Sequence, residues 1–301
     1  MFRKLLVITS LSVLGILSAC QQQSSTGKQS YTKGKVNLVA DESLAPIVED
    51  QLFVFGSVYP EVEITTLYKP ENALLKDLLN GTAKVAVMTR TLTPAESKYF
   101  EPKQIRIRVN RIAIDGIALI TQTTNADSLV SAQDVISVLQ SKPSKIQSLV
   151  FDNPNSSTVR YFKDLAQVKE LPSKGIYALK SNPEVIKYVA NHPGSVGVVG
   201  INWLMQADPS LEKDITRLRV MGVKNLPGKP GADQYTKPDQ NDLALGLYPF
   251  MRNLYLINCE GGPGPGTGFV TFVAGERGQR IVLKSGLLPD SIPPREISIR
   301  K

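Results

Sequence analysis

The stretch IAIDGIALIT, residues 112–121, decides the fold. It is a long apolar run with Asp115-Gly116 set inside it, so it reads as a buried strand carrying one carboxylate. What stands before it is a β-α-β-α-β series. Val36–Ala40 alternates as a first strand, and Ser43 caps a helix that admits Pro46 in its first turn and aligns Leu44, Ile47, Val48 and Leu52. Val62–Thr65 is a second strand, Glu71–Asn80 a helix closed by Gly81, and Val85–Met88 a third, buried strand. Thr93 and Glu96 have capping-box spacing. After the long strand the pattern restarts. Ser131 opens a helix to Leu139, Leu149–Phe151 is a strand, Ser156–Leu165 and Glu184–Asn191 are helices, and Val196–Val199 is a strand. A second long apolar strand, Leu247–Ile257, follows. The run Gly261–Gly268 breaks regular structure, and a last helix aligns Phe269, Phe272 and Val273. Alternating β and α elements predict a mainly parallel sheet wrapped by helices. Two β/α lobes joined by two crossover strands place a cleft between them, at strand C-terminal ends and helix N-termini, where ligands of such sheets sit.

The N-terminus fixes the expected location. Arg3 and Lys4 precede an apolar run, Leu5–Leu17, too short for a comfortable bilayer span and suited to a signal peptide. Leu17-Ser18-Ala19-Cys20 then looks like a bacterial lipobox, with residues 1–19 as leader and Cys20 as the lipidated residue, palmitate being one such acyl chain. An ordinary secretory leader is the plain alternative. Gln21–Ser30 is polar and reads as part of a flexible tether spanning 20–34. The expectation is an extracytoplasmic protein of a bacterial cell envelope, held to a membrane by lipid.

Composition excludes several classes. The chain has 301 residues, 42% hydrophobic and 21% charged, with a formal net charge of +8. Its basic residues are interspersed with acids and lack interleaved aromatics, which argues against nucleic-acid binding. With Cys20 lipidated, Cys259 is left alone, so neither a disulfide nor a thiolate metal site is expected. The one histidine, His192, lies in the turn-like Asn191-His192-Pro193-Gly194. No G-x-S-x-G, metal cluster or cofactor motif accompanies it, so no enzyme activity, metal or cofactor is expected.

Seven stretches, in order, resemble the phosphate-binding proteins of ABC importers, the PstS-like family of periplasmic binding proteins. Ser43-Leu44-Ala45-Pro46 is similar to the start of that family's first ligand helix. Met88–Thr93 is similar to its "SRPLT" turn, Ile114–Ala118 to its "DGIAV" crossover strand, and Ser156-Ser157-Thr158 with Arg160, Tyr161 and Phe162 to its "SGTxxxF" helix start. Gly194–Gly200 resembles "GAIGYVG", Tyr248–Tyr255 resembles "YPLSRPLY", and Gly278–Pro289 resembles the "GQ…SGYVP" ending. The resemblance implies a type II periplasmic-binding-protein fold, with lobe 1 over 35–114 and 247–301 and lobe 2 over 115–246. It implies a monomer that delivers phosphate to an ABC permease, with Ser43, Arg90, Asp115, Ser156, Ser157 and Thr158 as the ligand-binding set.

The chemistry of those residues fits an oxyanion receiver. Hydroxyls at helix starts join unpaired N–H groups and a positive dipole end. Arg90 can bond an oxyanion bidentately, and Asp115 can accept the proton of hydrogen phosphate while rejecting unprotonated sulfate. The bland alternatives are that the hydroxyls only cap helices and Arg90 is a surface residue. The chain also departs from the family pattern. Glu42 stands where Ser or Thr is usual, Lys69-Pro70-Glu71 replaces a Gly-Ser run, Asp152 replaces an arginine, and Ser157 replaces a glycine. Glu42, Glu71, Asp152 and Arg160 are therefore further pocket candidates. If all those acids face the cleft, they point to a cationic or zwitterionic solute, or to a sensor or scaffold lipoprotein that has lost transport.

Overall fold

The computed structural model describes residues 30–206 and 208–291. The leader, the Cys20 lipobox and most of the tether lie outside these residues. The main sheet has ten strands, of which eight form its continuous path: β1 (Gly34–Asp41), β2 (Val62–Lys69), β3 (Val85–Met88), β4 (Arg108–Gln122), β5 (Ser148–Phe151), β6 (Ile176–Ala178), β7 (Ser195–Gly200) and β8 (Met251–Asn258); the short strands Leu218–Val220 and Leu288–Pro289 pair with β4 off that path. The order along the path is β2-β1-β3-β8-β4-β7-β5-β6. β1 pairs in parallel with β2 and β3 on one side, and β5 pairs in parallel with β6 and β7 on the other. The two parallel halves meet at β4, which is antiparallel to both β8 and β7. β4 therefore belongs to both lobes. Its residues from Ile112 on are buried almost without break, the mark of a strand covered on both faces.

The helices that matter to the cleft are α1 (Ala45–Val58), α2 (Glu71–Asn80), α3 (Ala132–Leu139), α4 (Ser157–Ala166), α5 (Asn182–Asn191), α6 (Pro265–Ala274) and α7 (Glu276–Lys284). Gly81 ends α2 in the left-handed conformation, φ 78°, as its sequence position predicts. Ser131 and Ser156 cap α3 and α4 through their hydroxyls. Apolar side chains form one cluster that runs through both lobes, from Leu38 and Phe55 to Val150, Val185 and Ile201. Two further clusters fill the remaining faces of the individual lobes.

Three elements differ from the sequence reading. Ser43 does not cap α1; Asp41 caps a 3-10 turn, Glu42–Leu44, that leads into it. The second crossover is strand only from Met251, because Pro249 has no N–H for the ladder. Tyr248 instead ties this segment to β4 by donating to the Ile117 carbonyl at 2.7 Å. Helix α6 begins inside the glycine run, with Pro265 in its first turn. Its glycines give close approach: a Cβ on Gly268 would stand 1.9 Å from the Tyr31 carbonyl oxygen.

Candidate functional site

The centre of the cleft is a guanidinium. Arg252 lies near the start of β8, opposite Asp115 of β4, and is 5% exposed. Its Nε donates to Asp115 Oδ2 at 2.9 Å, and its Nη2 lies 2.9 Å from the same oxygen. The fork then reaches both lobes. Nη2 donates to Ser43 Oγ at 3.1 Å, while Nη1 donates to Ser157 Oγ at 3.0 Å and Thr158 Oγ1 at 3.3 Å. Ser43 comes from the 3-10 turn of one lobe, and Ser157 and Thr158 open α4 of the other. Ser43 Oγ and Ser157 Oγ are 3.4 Å apart, so the cleft is shut on the arginine.

Carboxylates ring this core. Asp41 accepts from the Ser43 amide at 2.9 Å and from Ser43 Oγ at 2.7 Å. Asp152 accepts from Ser156 Oγ at 2.6 Å and from Asn182 Nδ2 at 3.3 Å. Burial pushes the Asp152 carboxyl up to about 6 against the Ser156 bond, with Asp41 adding repulsion. Burial and the charges of Asp152 and Asp41 push Glu42 up to about 7. Burial also raises Asp115, although Arg252 opposes it.

A second interlobe pair stands apart from the first. Glu71, at the first position of α2, accepts from Arg160 of α4: Nε at 2.7 Å to Oε1 and Nη2 at 3.1 Å to Oε2. Arg90 Nε donates to the same Oε1 at 3.0 Å, and its two terminal nitrogens donate to Glu96 at 2.8 and 3.0 Å. Arg160 Nη2 also donates to Thr89 Oγ1 at 3.1 Å. Across the seam, Trp203 Nε1 in the short helix Asn202–Met205 donates to the Ser43 carbonyl at 2.9 Å.

The structure thus brings Ser43, Asp115, Ser157 and Thr158 together on Arg252, with Asp152 and Glu42 beside them. It holds Ser156 as the cap of α4, its Oγ accepting from the Val159 amide at 3.1 Å. It does not bring Arg90 into this group; Arg90, Glu71 and Arg160 form the outer pair. Sequence reasoning quoted Arg252 within Tyr248–Tyr255 but gave it no role. It also missed Asp41, Asn182, Asn202 and Trp203. The one usable sequence cue was Asp115 itself, a buried acid that required a cation. His192 stays outside the cleft, stacked on Tyr188 with centroids 3.8 Å apart. Cys259 is a buried free thiol.

Comparison with known proteins follows the same lines. A family model described as a PBP superfamily domain matches residues 23–277. Phosphate-binding protein PstS of Borreliella burgdorferi is 21% identical over 304 residues, covering 95% of this chain and 98% of that protein. The PstS of Pseudomonas aeruginosa is 24% identical, covering 87% and 85%. Among solved structures, a phosphate ABC transporter substrate-binding protein with bound phosphate from Clostridium perfringens superposes with a TM-score of 0.70 at 20% identity. That match covers 86% of this chain and all of the other. An ABC-type phosphate transport receptor from Vibrio cholerae gives 0.62 at 14% identity, covering 85% of this chain and all of the other. With a family model spanning most of its length and a two-lobed sheet closed over a polar cleft, the chain belongs to the PBP superfamily.

Proposed function

We propose that this chain is an extracytoplasmic solute-binding protein of an ABC importer, and that it binds phosphate between its lobes. The observation that carries the reading is the meeting of hydroxyls from both lobes on the buried Arg252 guanidinium. An oxyanion entering there replaces the hydroxyl oxygens as acceptors on Arg252 and receives the three O–H groups in turn. The α4 N-terminus adds its dipole. Relatives named as phosphate-binding proteins over nearly their whole length support the same ligand. On this reading lobe 1 comprises 35–114 with 247–301 and lobe 2 comprises 115–246, with 207 and 292–301 lying outside the described residues. Handover to a permease follows from the importer role and needs no second copy of the chain.

A second reading is a cationic or zwitterionic solute. Four acids, Asp41, Glu42, Asp115 and Asp152, stand around one guanidinium, and that favours it. Calorimetric titration of residues 21–301 with phosphate, then sulfate, separates the two. Phosphate binding at micromolar or tighter affinity with sulfate ignored supports the phosphate reading. No heat with phosphate removes it and leaves the solute of the second reading to be sought.

The same reading takes Cys20 of the lipobox-like Leu17-Ser18-Ala19-Cys20 as a lipid anchor, with the protein on the outer side of a membrane. Cys20→Ser is expected to release the protein into the soluble fraction. A variant that still sediments with membranes refutes the anchor.

A further inference from the structure

The cleft holds buried acceptors that lack hydrogen atoms. Asp41 Oδ2, Asp115 Oδ1, Asn182 Oδ1 and Asn202 Oδ1 belong to residues no more than 1% exposed, and none has a hydrogen-bond partner among the described residues. Glu42 Oε1 is in the same condition on a half-buried residue. Against these five acceptors, the one unpaired donor in the group is Asn202 Nδ2. Buried polar atoms are nearly always paired, so a one-sided deficit describes the partner that fits.

The deficit lies beside Arg252. A Cβ on Gly200 would stand 2.6 Å from Asn202 Oδ1, 3.2 Å from Asp115 Oδ2 and 3.4 Å from Arg252 Nη2, so Asn202 lies near the same ion pair. Asp41 is two hydrogen bonds from Arg252, through Ser43.

Resting on the phosphate reading, we propose that the cleft takes phosphate as its dihydrogen monoanion. The unprotonated oxygens meet Arg252, Ser43, Ser157 and Thr158, while Asp41 Oδ2 and Asp115 Oδ1 accept the two P–OH groups. The dianion brings one P–OH instead of two and adds a second negative charge to a site already rich in carboxylates.

The charged and titratable groups facing this centre are Asp41 of β1, Glu42 of the following turn, Asp115 of β4, Asp152 after β5, Arg252 of β8 and Tyr161 of α4. Burial raises the Tyr161 hydroxyl to about 12, so it stays neutral. Glu42 and Asp152, pushed up to about 7 and about 6, lose charge as pH falls. Both effects favour tighter binding on the acid side of neutrality.

The test is calorimetric titration of phosphate into residues 21–301 between about pH 6 and about pH 8.5, in buffers of different ionisation enthalpy, with Asp41→Asn in parallel. The dissociation constant is expected to rise at least about tenfold from the acid to the alkaline end, with net proton uptake at the alkaline end. Asn keeps the cap on Ser43 but presents an NH₂ where Asp41 has its free acceptor. Asp41→Asn should therefore weaken binding at low pH and flatten the profile. Affinity level with pH or rising with it overturns the proposal, as does an Asp41→Asn profile parallel to the native one. The native profile decides the question even if the variant does not fold. An absence of phosphate binding at every pH overturns instead the phosphate reading underneath.

Discussion

Among the described residues, Arg252 and Asp115 form the one ion pair in the cleft with both side chains almost wholly buried, at 3% and 0% exposure. Removing one partner of such a pair leaves the other charge uncompensated and costs about 3–5 kcal/mol. Arg252→Ala is therefore expected to lower the urea midpoint markedly and to weaken phosphate binding more than about tenfold, since a charge-assisted contact contributes about 1.5–3 kcal/mol. Arg252→Lys keeps the charge but concentrates it at one point, which cannot serve Asp115, Ser43, Ser157 and Thr158 together. It should recover part of the stability and little of the affinity. A titration in which Arg252→Ala binds as well as the native chain would remove Arg252 from the site. At this scale the sequence was half legible. Asp115 announced itself as a charge inside an apolar strand, but its partner lies 137 residues further on. No local spacing joins the two, because register between β4 and β8 sets them opposite. Arg90 shows the converse. Its end-of-strand position is visible in sequence, yet the Thr93–Glu96 capping box beside it turns the Glu96 carboxylate back onto its guanidinium.

The elements that set the cleft were mostly readable, because each carries its own punctuation. Gly81, Ser131 and Ser156 end or open helices for reasons local to the backbone. Where packing decides, the reading failed. The helix Pro265–Ala274 accepts Gly266 and Gly268 because Val85, Glu260 and the Tyr31 carbonyl press against it, contacts that a linear pattern does not contain. Gly116 beside Asp115 is of this second kind. A Cβ there would stand 2.4 Å from the Cβ of Pro238 and 3.2 Å from Leu243 Cδ2. Gly116→Ala is expected to cost about 1–3 kcal/mol by overpacking. Urea denaturation checks it: a midpoint equal to that of the native chain would mean that the Pro238 segment moves away freely.

For the whole molecule, the restart of the β/α pattern after β4 made the two-lobed plan visible, while the contacts that shut it were not. Glu71 is the clearest case. In sequence it is an acid in the first turn of a helix, favourable to that helix alone. In the folded chain its side chain is 3% exposed and takes two bonds from Arg160 of the other lobe. Glu71→Gln keeps the shape and removes the charge, so the shut state loses part of its clamp. The expected outcome is faster ligand release, by about tenfold, together with a larger radius of gyration in small-angle scattering. Unchanged release and scattering would make the Glu71–Arg160 pair a bystander. The Trp203–Ser43 bond has a different use. Trp203 is the sole tryptophan of the chain, and its indole is moored to the opposite lobe. Parting of the lobes exposes that indole to water, so its emission moves to longer wavelength. The protein thus carries an optical gauge of its own closure, readable in real time without any attached dye.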